Sequence, residues 1–355
     1  MRRRRRNRRG DYILIGLLCL LVLGSIFLRG RRRPKELPPT QVINLQEPVV
    51  DYHIALDATA AVLMDAETGQ VLYAKAAHRQ VAPASLTKML TALVAAQGRD
   101  LELPVEIPRV ATRASGARVG LMAGSEIQLG SLIWGMLLLS GNDAAQAVAI
   151  GAAGSIEAFA ELMNIRAQEL GATSSHFINP SGLSAPGHVS TAYDLALIAR
   201  ALLADPNLAE IVGSQRCQVP WGSASREFKN INRIVREYPD CLGIKTGYTD
   251  EAGYCLAAAA KRQGRTLISI VLGCSTSQAR YNDSSRLLDQ GFTNYTYLIT
   301  GKGEATYPAH YHTVKAGQTL SSIAEQYKLT DGVLAEANRI QPPYRLEVGQ
   351  ILLIP

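Results

Sequence analysis

The sequence predicts an α+β chain: an antiparallel sheet flanked by helices with a helical subdomain, then a small βααβ unit, with a transmembrane helix at the N-terminus. Three observations carry this expectation. Strand-like runs come first, a long helix-rich stretch follows, and strands and a helix close the larger part, an order that favours an antiparallel α+β domain. An uncharged stretch from Tyr12 to Leu28 follows a strongly basic start. The last 45 residues carry a pattern of their own.

The N-terminal elements come first. Arg2 to Arg6, Arg8 and Arg9 precede the 17 residues Tyr12–Leu28. As a helix these span ~26 Å at ~1.5 Å per residue, the lower limit of the ~17–25 residues a membrane span needs. The leading arginines favour a cytoplasmic tail over 1–11, a signal anchor over 12–28 and everything else outside the cell membrane, single-pass, in the wall or periplasm. Arg29, Arg31, Arg32, Arg33 and Lys35 make the far flank basic as well. No Ala-x-Ala site follows, and a cleaved signal peptide is the rival reading. Residues 29–50, with Pro34, Pro38, Pro39 and Pro48, read as an extended linker. Residues 1–35 carry +11 of a total of +7, so the rest of the chain is −4. An acidic body argues against nucleic acid as a partner.

The larger domain is expected over 51–298. Ala61–Met64 and Val71–Tyr73 read as a hairpin turning at Glu67-Thr68-Gly69. Ser85 opens a helix through Ala96. Further helices are expected over Ser131–Ile150, Ile156–Leu170 and Thr191–Ala204. From Arg216 strands return, at Ile244–Thr246, Tyr254–Ala260 and Leu267–Leu272, and Ser284–Tyr297 closes as a helix. Residues 299–310 form a polar hinge. Residues 311–355 then give a strand (His312–Val314), helices (Leu320–Tyr327 and Val333–Asn338) and a strand (Gln350–Ile354).

Beyond Cys19 in the apolar run, the cysteines are Cys217, Cys241, Cys255 and Cys274. An even number outside a membrane permits disulfides. A hairpin turning near Gln263-Gly264 would bring Cys255 and Cys274 nearly opposite each other. Four buried free thiols are the alternative. No Cys-x-x-Cys exists and the six histidines show no ligand spacing, so no metal or other cofactor is expected.

Three short motifs stand in order: Ser85-Leu86-Thr87-Lys88, Ser140-Gly141-Asn142 and Lys245-Thr246-Gly247. Acyl transfer needs an activated nucleophile, a base, and donors aimed at the developing oxyanion. At a helix start, Ser85 and Lys88 share a face, and the positive helix end and neighbouring cations should lower the lysine pKa. Ser140 and Asn142 can relay a proton and hold a substrate amide. Lys245 and Thr246 offer a cation and a hydroxyl to a carboxylate, and Gly247 allows close backbone approach. Taken singly, Ser85 could be a helix cap, Asn142 a turn residue and Lys245 a solvated strand charge. The ordered set is far more specific than any one of them.

The set resembles the SxxK, SxN and KTG motifs of penicillin-binding proteins and serine β-lactamases. The flanking words, Pro83–Met89, Ser140-Gly141-Asn142-Asp143-Ala144, Asn179-Pro180-Ser181-Gly182-Leu183, His188-Val189-Ser190-Thr191-Ala192 and Lys245–Thr249, are similar to the low-molecular-mass D-alanyl-D-alanine carboxypeptidases. The resemblance implies a penicillin-binding/β-lactamase-like fold. It implies Ser85 as the acylated nucleophile, Lys88 as general base, and Ser140 and Asn142 in proton transfer and binding. Lys245, Thr246 and Gly247 would bind the substrate, and the N–H groups of Ser85 and Tyr248 would form the oxyanion hole. Arg280, in the loop after the second strand beyond the third motif, would meet the terminal carboxylate. The implied partners are peptidoglycan stem peptides, and β-lactams as covalent inhibitors.

Residues 311–355 resemble a LysM module, through Val314–Leu320, Ile323-Ala324, Asn338 and Val348–Pro355. This implies binding of glycan strands by Gly317, Gln318, Thr319, Leu320 and Asn338; a degenerate module that only packs on the enzyme is the alternative. Rival functions are a D,D-endopeptidase using the same residues, a serine β-lactamase, and a wall-binding protein with a dead catalytic domain. The β-lactamase reading lacks a glutamate near Phe177-Ile178-Asn179-Pro180, and the intact motifs oppose a dead domain.

Overall fold

The computed structural model describes residues 54–294, 298–299, 305–306, 310–315, 317–327, 330–338, 340, 343–346 and 351–354. The expected tail, membrane anchor and linker (1–50) lie outside the described residues.

In chain order the elements are β1 (Ala60–Asp65), β2 (Val71–Lys75), a 3-10 turn (Ala84–Leu86), α1 (Thr87–Ala96), β3 (Pro104–Glu106), a 3-10 turn (Ala111–Arg113), β4 (Glu126–Gln128), α2 (Leu129–Leu138), α3 (Asn142–Ala153) and α4 (Ile156–Glu169). There follow α5 (Ala192–Ala204), α6 (Pro206–Gly213), β5 (Arg216–Trp221), β6 (Ala224–Lys229), α7 (Ile234–Glu237), β7 (Cys241–Thr249), β8 (Gly253–Arg262), β9 (Arg265–Cys274) and α8 (Ser277–Asn294). After these come β10 (Leu298–Ile299), β11 (Ala305–Thr306), β12 (His310–Thr313), α9 (Leu320–Gln326), α10 (Asp331–Ala337) and β13 (Ile351–Ile354).

The main sheet has the order β2-β1-β9-β8-β7, with every neighbouring pair antiparallel. Its strands are apolar on both faces because both faces are covered. Side chains alternate across a strand. Val62, Met64, Ile268, Ile270, Ala257 and Ala259 pack into one core with the helical subdomain. Leu63, Leu256, Ala258, Leu267 and Val271 pack into a second core with Leu287 and Leu288 of α8. The β8–β9 hairpin turns at Gln263 (φ 50°) and Gly264 (φ 81°), the two positive φ angles of a type I′ turn. The turn lies at the Gln263-Gly264 position that the sequence predicts.

Four expectations need correction. The single helix over Ser131–Ile150 is two, α2 and α3, broken at Ser140, which has φ 60°. The closing helix starts at Ser277, seven residues before Ser284, and Tyr297 lies outside the described residues. Arg280 therefore sits in the first turn of a helix, not in a loop. Within the expected hinge, Ala305–Thr306 pairs with Leu298–Ile299. Helices α6 and α7 were not anticipated.

The cysteine pairing also differs. The register sets Cys274 opposite Tyr254, and an irregularity between Tyr254 and Leu256 displaces Cys255. Cys255 packs with the helical core and Cys274 with the α8 core. All four thiols are free, as in the alternative kept open above, but only Cys255 and Cys274 are buried, while Cys217 and Cys241 are half-buried. Burial pushes the Cys255 and Cys241 thiols up to about 11.

The chain enters the domain through a strap across the β9–α8 corner. Ser275 donates its backbone N–H (2.6 Å) and its hydroxyl (2.8 Å) to the Asp57 carboxylate. Ala58 N–H donates to Asp283 at 2.8 Å, and Arg286 donates to Ala55 O at 3.1 Å. The serine donors hold the Asp57 carboxyl below the usual range.

The C-terminal module has the expected βααβ order, with β12 antiparallel to β13. Its core holds Val314, Leu320, Ile323, Ala324, Leu334, Ala335 and Leu352.

Candidate active site

Ser85 lies in the 3-10 turn that leads into α1. Neither that turn nor α1 has a side-chain cap, so Ser85 is not serving as a helix cap. Ala84, just before it, has φ 48°, an unfavourable conformation for a residue with a Cβ. Two glycines explain how it is held. Gly182 has φ +82°, and a Cβ there would come within 1.8 Å of Ala84 O. A Cβ on Gly247 would meet Ala84 Cβ at 3.1 Å and Ser85 N at 3.2 Å. The turn carrying Ser85 is what approaches Gly247 closely. The contact brings the outer strand β7 of the sheet against Ser85.

Lys88 is fully buried on α1, which is buried on nearly every side. Its Nζ lies 2.8 Å from Ser85 Oγ, 2.7 Å from Asn142 Oδ1 and 2.5 Å from Ser181 O. Burial first, and the Lys245 charge second, hold this amine well below its usual value, while Asp143 opposes them. The cause is therefore mainly desolvation, where sequence reasoning named the helix end and neighbouring cations. Lys245, 1% exposed, donates to Thr246 O at 3.0 Å. Burial, reinforced by Arg280, lowers it to about 7. Thr246 is buried and Tyr248 is 49% exposed, its hydroxyl bonded to Asp250 at 2.8 Å.

Arg280 reaches the same place from α8. Its guanidinium donates to Gly247 O at 3.0 Å and to Cys255 O at 3.4 Å, and lies over the rings of Tyr254 and Tyr281. It is a half-buried, tethered cation and not an ordinary surface arginine. Ser140, buried at the α2–α3 break, and Asn142, at the start of α3, complete the set. The structure thus gathers all three motifs and Arg280 around the β7 edge and the start of α1.

Residues given no role in the sequence reading hold this arrangement. Asp143, 1% exposed, accepts four backbone N–H groups: Val119 and Ala144 on Oδ1 (2.8 and 2.9 Å), Gly120 and Leu121 on Oδ2 (2.8 and 3.2 Å). Asn142 Nδ2 donates to Ser115 O at 2.7 Å. Arg226, stacked on Trp221 and Phe228, donates to Val119 O at 2.6 Å. The 115–121 segment is therefore pinned from two sides. Asn179 closes the second segment: its Oδ1 accepts from Ser181 N and Gly182 N, and its Nδ2 donates to Leu183 O. Asp143 follows the second motif directly, and Asn179 and Gly182 lie in a word quoted for the family resemblance; position next to the motifs was the available signal.

In the C-terminal module Leu320 belongs to the core and is 2% exposed; its side chain is taken up by packing and is corrected from glycan contact to core. Thr319 is exposed and caps α9 in a capping box with Ser322. Gln318 Oε1 accepts from Lys315 N at 2.8 Å and lies 2.7 Å from His312 Nε2. Gly317 is exposed with φ 84°. Asn338 donates to Leu334 O at 2.8 Å.

A serine beside a desolvated lysine, faced by a Ser-x-Asn corner and by a Lys-Thr-Gly edge strand, defines a serine acyl-transfer enzyme of the penicillin-binding fold. The D-alanyl-D-alanine carboxypeptidase family matches residues 45–276, and the LysM domain matches 312–355. The D-alanyl-D-alanine carboxypeptidase DacF of Bacillus subtilis is 36% identical over 96% of this chain and 88% of its own length. Among solved structures, the carboxypeptidase DacD of Francisella tularensis is 29% identical, with a TM-score of 0.66 over 75% of this chain and 78% of its own. A DD-transpeptidase of Streptomyces is 30% identical, with a TM-score of 0.63 over 67% of this chain and 99% of its own. The chain belongs to the D-alanyl-D-alanine carboxypeptidase family of serine hydrolases and carries a LysM domain.

Proposed function

We propose that this chain removes the terminal D-alanine from peptidoglycan stem pentapeptides through an acyl-enzyme on Ser85. In this reading the LysM module holds it on glycan strands, and residues 12–28 anchor it in the membrane with the catalytic domain outside. The observation that carries the chemistry is the surroundings of Lys88 Nζ. A neutral amine has two N–H donors and one lone pair. Asn142 Oδ1 and Ser181 O are both acceptors and take the two N–H groups. The third direction, toward Ser85 Oγ, is left for the lone pair.

Ser85 then gives its proton to Lys88 as Oγ attacks the carbonyl of the penultimate D-alanine. The oxyanion meets the N–H groups of Ser85 and Tyr248. The proton passes by way of Lys88 and Ser140 to the leaving amine, and terminal D-alanine departs. Lys245, Thr246 and Arg280 hold its carboxylate. Water hydrolyses the ester and releases the tetrapeptide. A β-lactam would stop at the acylated stage. The Asn179–Leu183 segment beside Lys88 carries no carboxylate to drive water rapidly, which favours a carboxypeptidase over a β-lactamase.

The test is D-alanine release from a pentapeptide by wild type and Ser85→Ala, beside labelling with fluorescent penicillin. Release and labelling by the wild type alone are expected. Labelling that persists in Ser85→Ala would place the nucleophile elsewhere. Labelling without release, with turnover of cross-linked dimers, would identify an endopeptidase.

A further inference from the structure

We propose that His188 is a positioning residue that locks the Ile178–Leu183 segment onto the nucleophile helix and so fixes the Ser181 carbonyl on Lys88. The inference rests on the reading of Ser85 and Lys88 as nucleophile and base. His188 is 3% exposed and sits between two elements that the reaction needs in register. Ile178 N–H donates to its Nδ1 at 3.1 Å. Nδ1 is therefore unprotonated, and Nε2 carries the proton. That Nε2–H donates to Thr87 Oγ1 at 2.9 Å, two residues from Ser85. The ring also meets Phe177 edge-on, with centroids 5.6 Å apart.

Four further bonds show what this clamp completes. Thr91 Oγ1 donates to Pro180 O at 2.7 Å, and Lys88 Nζ donates to Ser181 O at 2.5 Å. Asn164 accepts from Phe177 N and donates to Phe177 O, both at 2.8 Å. Thr87, Lys88 and Thr91 thus grip the segment along one side of α1, and the His188 ring joins Thr87 to the backbone of Ile178. The charged and titratable groups around the ring are His176 and Lys88; burial first, then these two, lowers His188 to about 4, so it stays neutral at working pH. Around Lys88 they are Lys245 and Asp143. If the segment loosens, water reaches Lys88. Desolvation is the largest influence on that amine, so its pKa should rise and less of it should be neutral.

The test is the rate of Ser85 acylation by fluorescent penicillin from pH 6 to 9 in the full chain, for wild type, His188→Phe, Thr87→Val and Thr87→Ser. His188→Phe and Thr87→Val should acylate about 10- to 100-fold more slowly at pH 7. Their deficit relative to wild type should shrink as pH rises, with the acidic limb displaced upward by about one unit. Thr87→Ser keeps the acceptor and should keep the wild-type profile. A deficit that is uniform across pH, or no deficit, overturns the proposal. Should His188→Phe not fold, Thr87→Val, which keeps the ring, decides alone. A wild type that is not acylated at all would overturn the underlying reading of Ser85, a result distinguishable from unchanged variants.

Discussion

Replacing Asp143 by Asn should uncouple the Ser-x-Asn corner while changing almost nothing in shape. Each carboxylate oxygen of Asp143 accepts two backbone N–H groups. An amide keeps one oxygen and turns an NH2 toward the other two donors. Two hydrogen bonds to a charged acceptor are lost, at ~1.5–3 kcal/mol each, or about 3–6 kcal/mol. The segment is not sealed, because a cavity of about 560 Å³ lined by Thr112, Gly116, Arg118 and Leu121 adjoins it. Water can replace part of what is lost, which places the expected cost at the lower end, about 3 kcal/mol. For a domain of this size that is about 10 °C in Tm. Ser115, whose carbonyl holds the Asn142 amide, would shift with the segment. Acylation should therefore slow by about 10- to 100-fold. Thermal unfolding and penicillin labelling measure the two effects. A Tm within about 2 °C of wild type together with unchanged labelling would refute the reasoning.

Gly182→Ala places a Cβ 1.8 Å from Ala84 O at a φ of +82°, and should lower labelling of Ser85 at least ~100-fold; a normally labelled variant would mean that the turn has other room. Lys245, lowered to about 7, binds fewer protons folded than unfolded between pH 7 and 10.5, and Lys88, also held well below its usual value, acts in the same direction. Stability should therefore rise with pH there, by up to about 1.4 kcal/mol per pH unit for each lysine. Below pH 7 the penalty from Lys245 is present in full. Guanidinium midpoints at pH 7 and 9 should show the rise, and Lys245→Met should flatten it; a flat or falling wild-type midpoint counts against the burial argument. Deleting residues 311–355 should weaken cosedimentation with purified wall glycan and leave turnover of a soluble peptide unchanged, whereas equal loss of both would contradict two separable modules.

The candidate site residues were legible because they are side-chain groups standing in a distinctive order. Ser85, Lys88, Ser140, Asn142, Lys245 and Thr246 needed only types and spacing. What was not legible works through the backbone or through distant pairing. Ser181 contributes a carbonyl oxygen, which any residue possesses. Gly182 matters because of Ala84, 98 positions away in sequence. The break at Ser140 is in fact marked, by the poor helix formers Ser140-Gly141-Asn142-Asp143 between two apolar runs, but in the sequence reading those residues figure only as a motif. Helix α8 begins in the polar run Ser277-Gln278-Ala279-Arg280, with no apolar periodicity until its later turns. The cysteine register depended on a one-residue irregularity at Cys255, which no alternation pattern announces.

The strap at residues 55–58 bears on how the domain would answer a mechanical load. A pull on the chain ahead of Ala55 is first taken up by the bonds of Asp57, Ala58 and Arg286 to the β9–α8 corner. Only then does it reach β1, which is paired on one side with β2 and on the other with β9. Tension along the axis of a strand bonded on both sides loads the rungs of both ladders together, as shear. A strand at the sheet edge pulled sideways would open rung by rung. With β1 inside and β7, the strand beside Ser85, at the far edge, tension on the chain ahead of Ala55 would be taken up three strands from the strand beside Ser85.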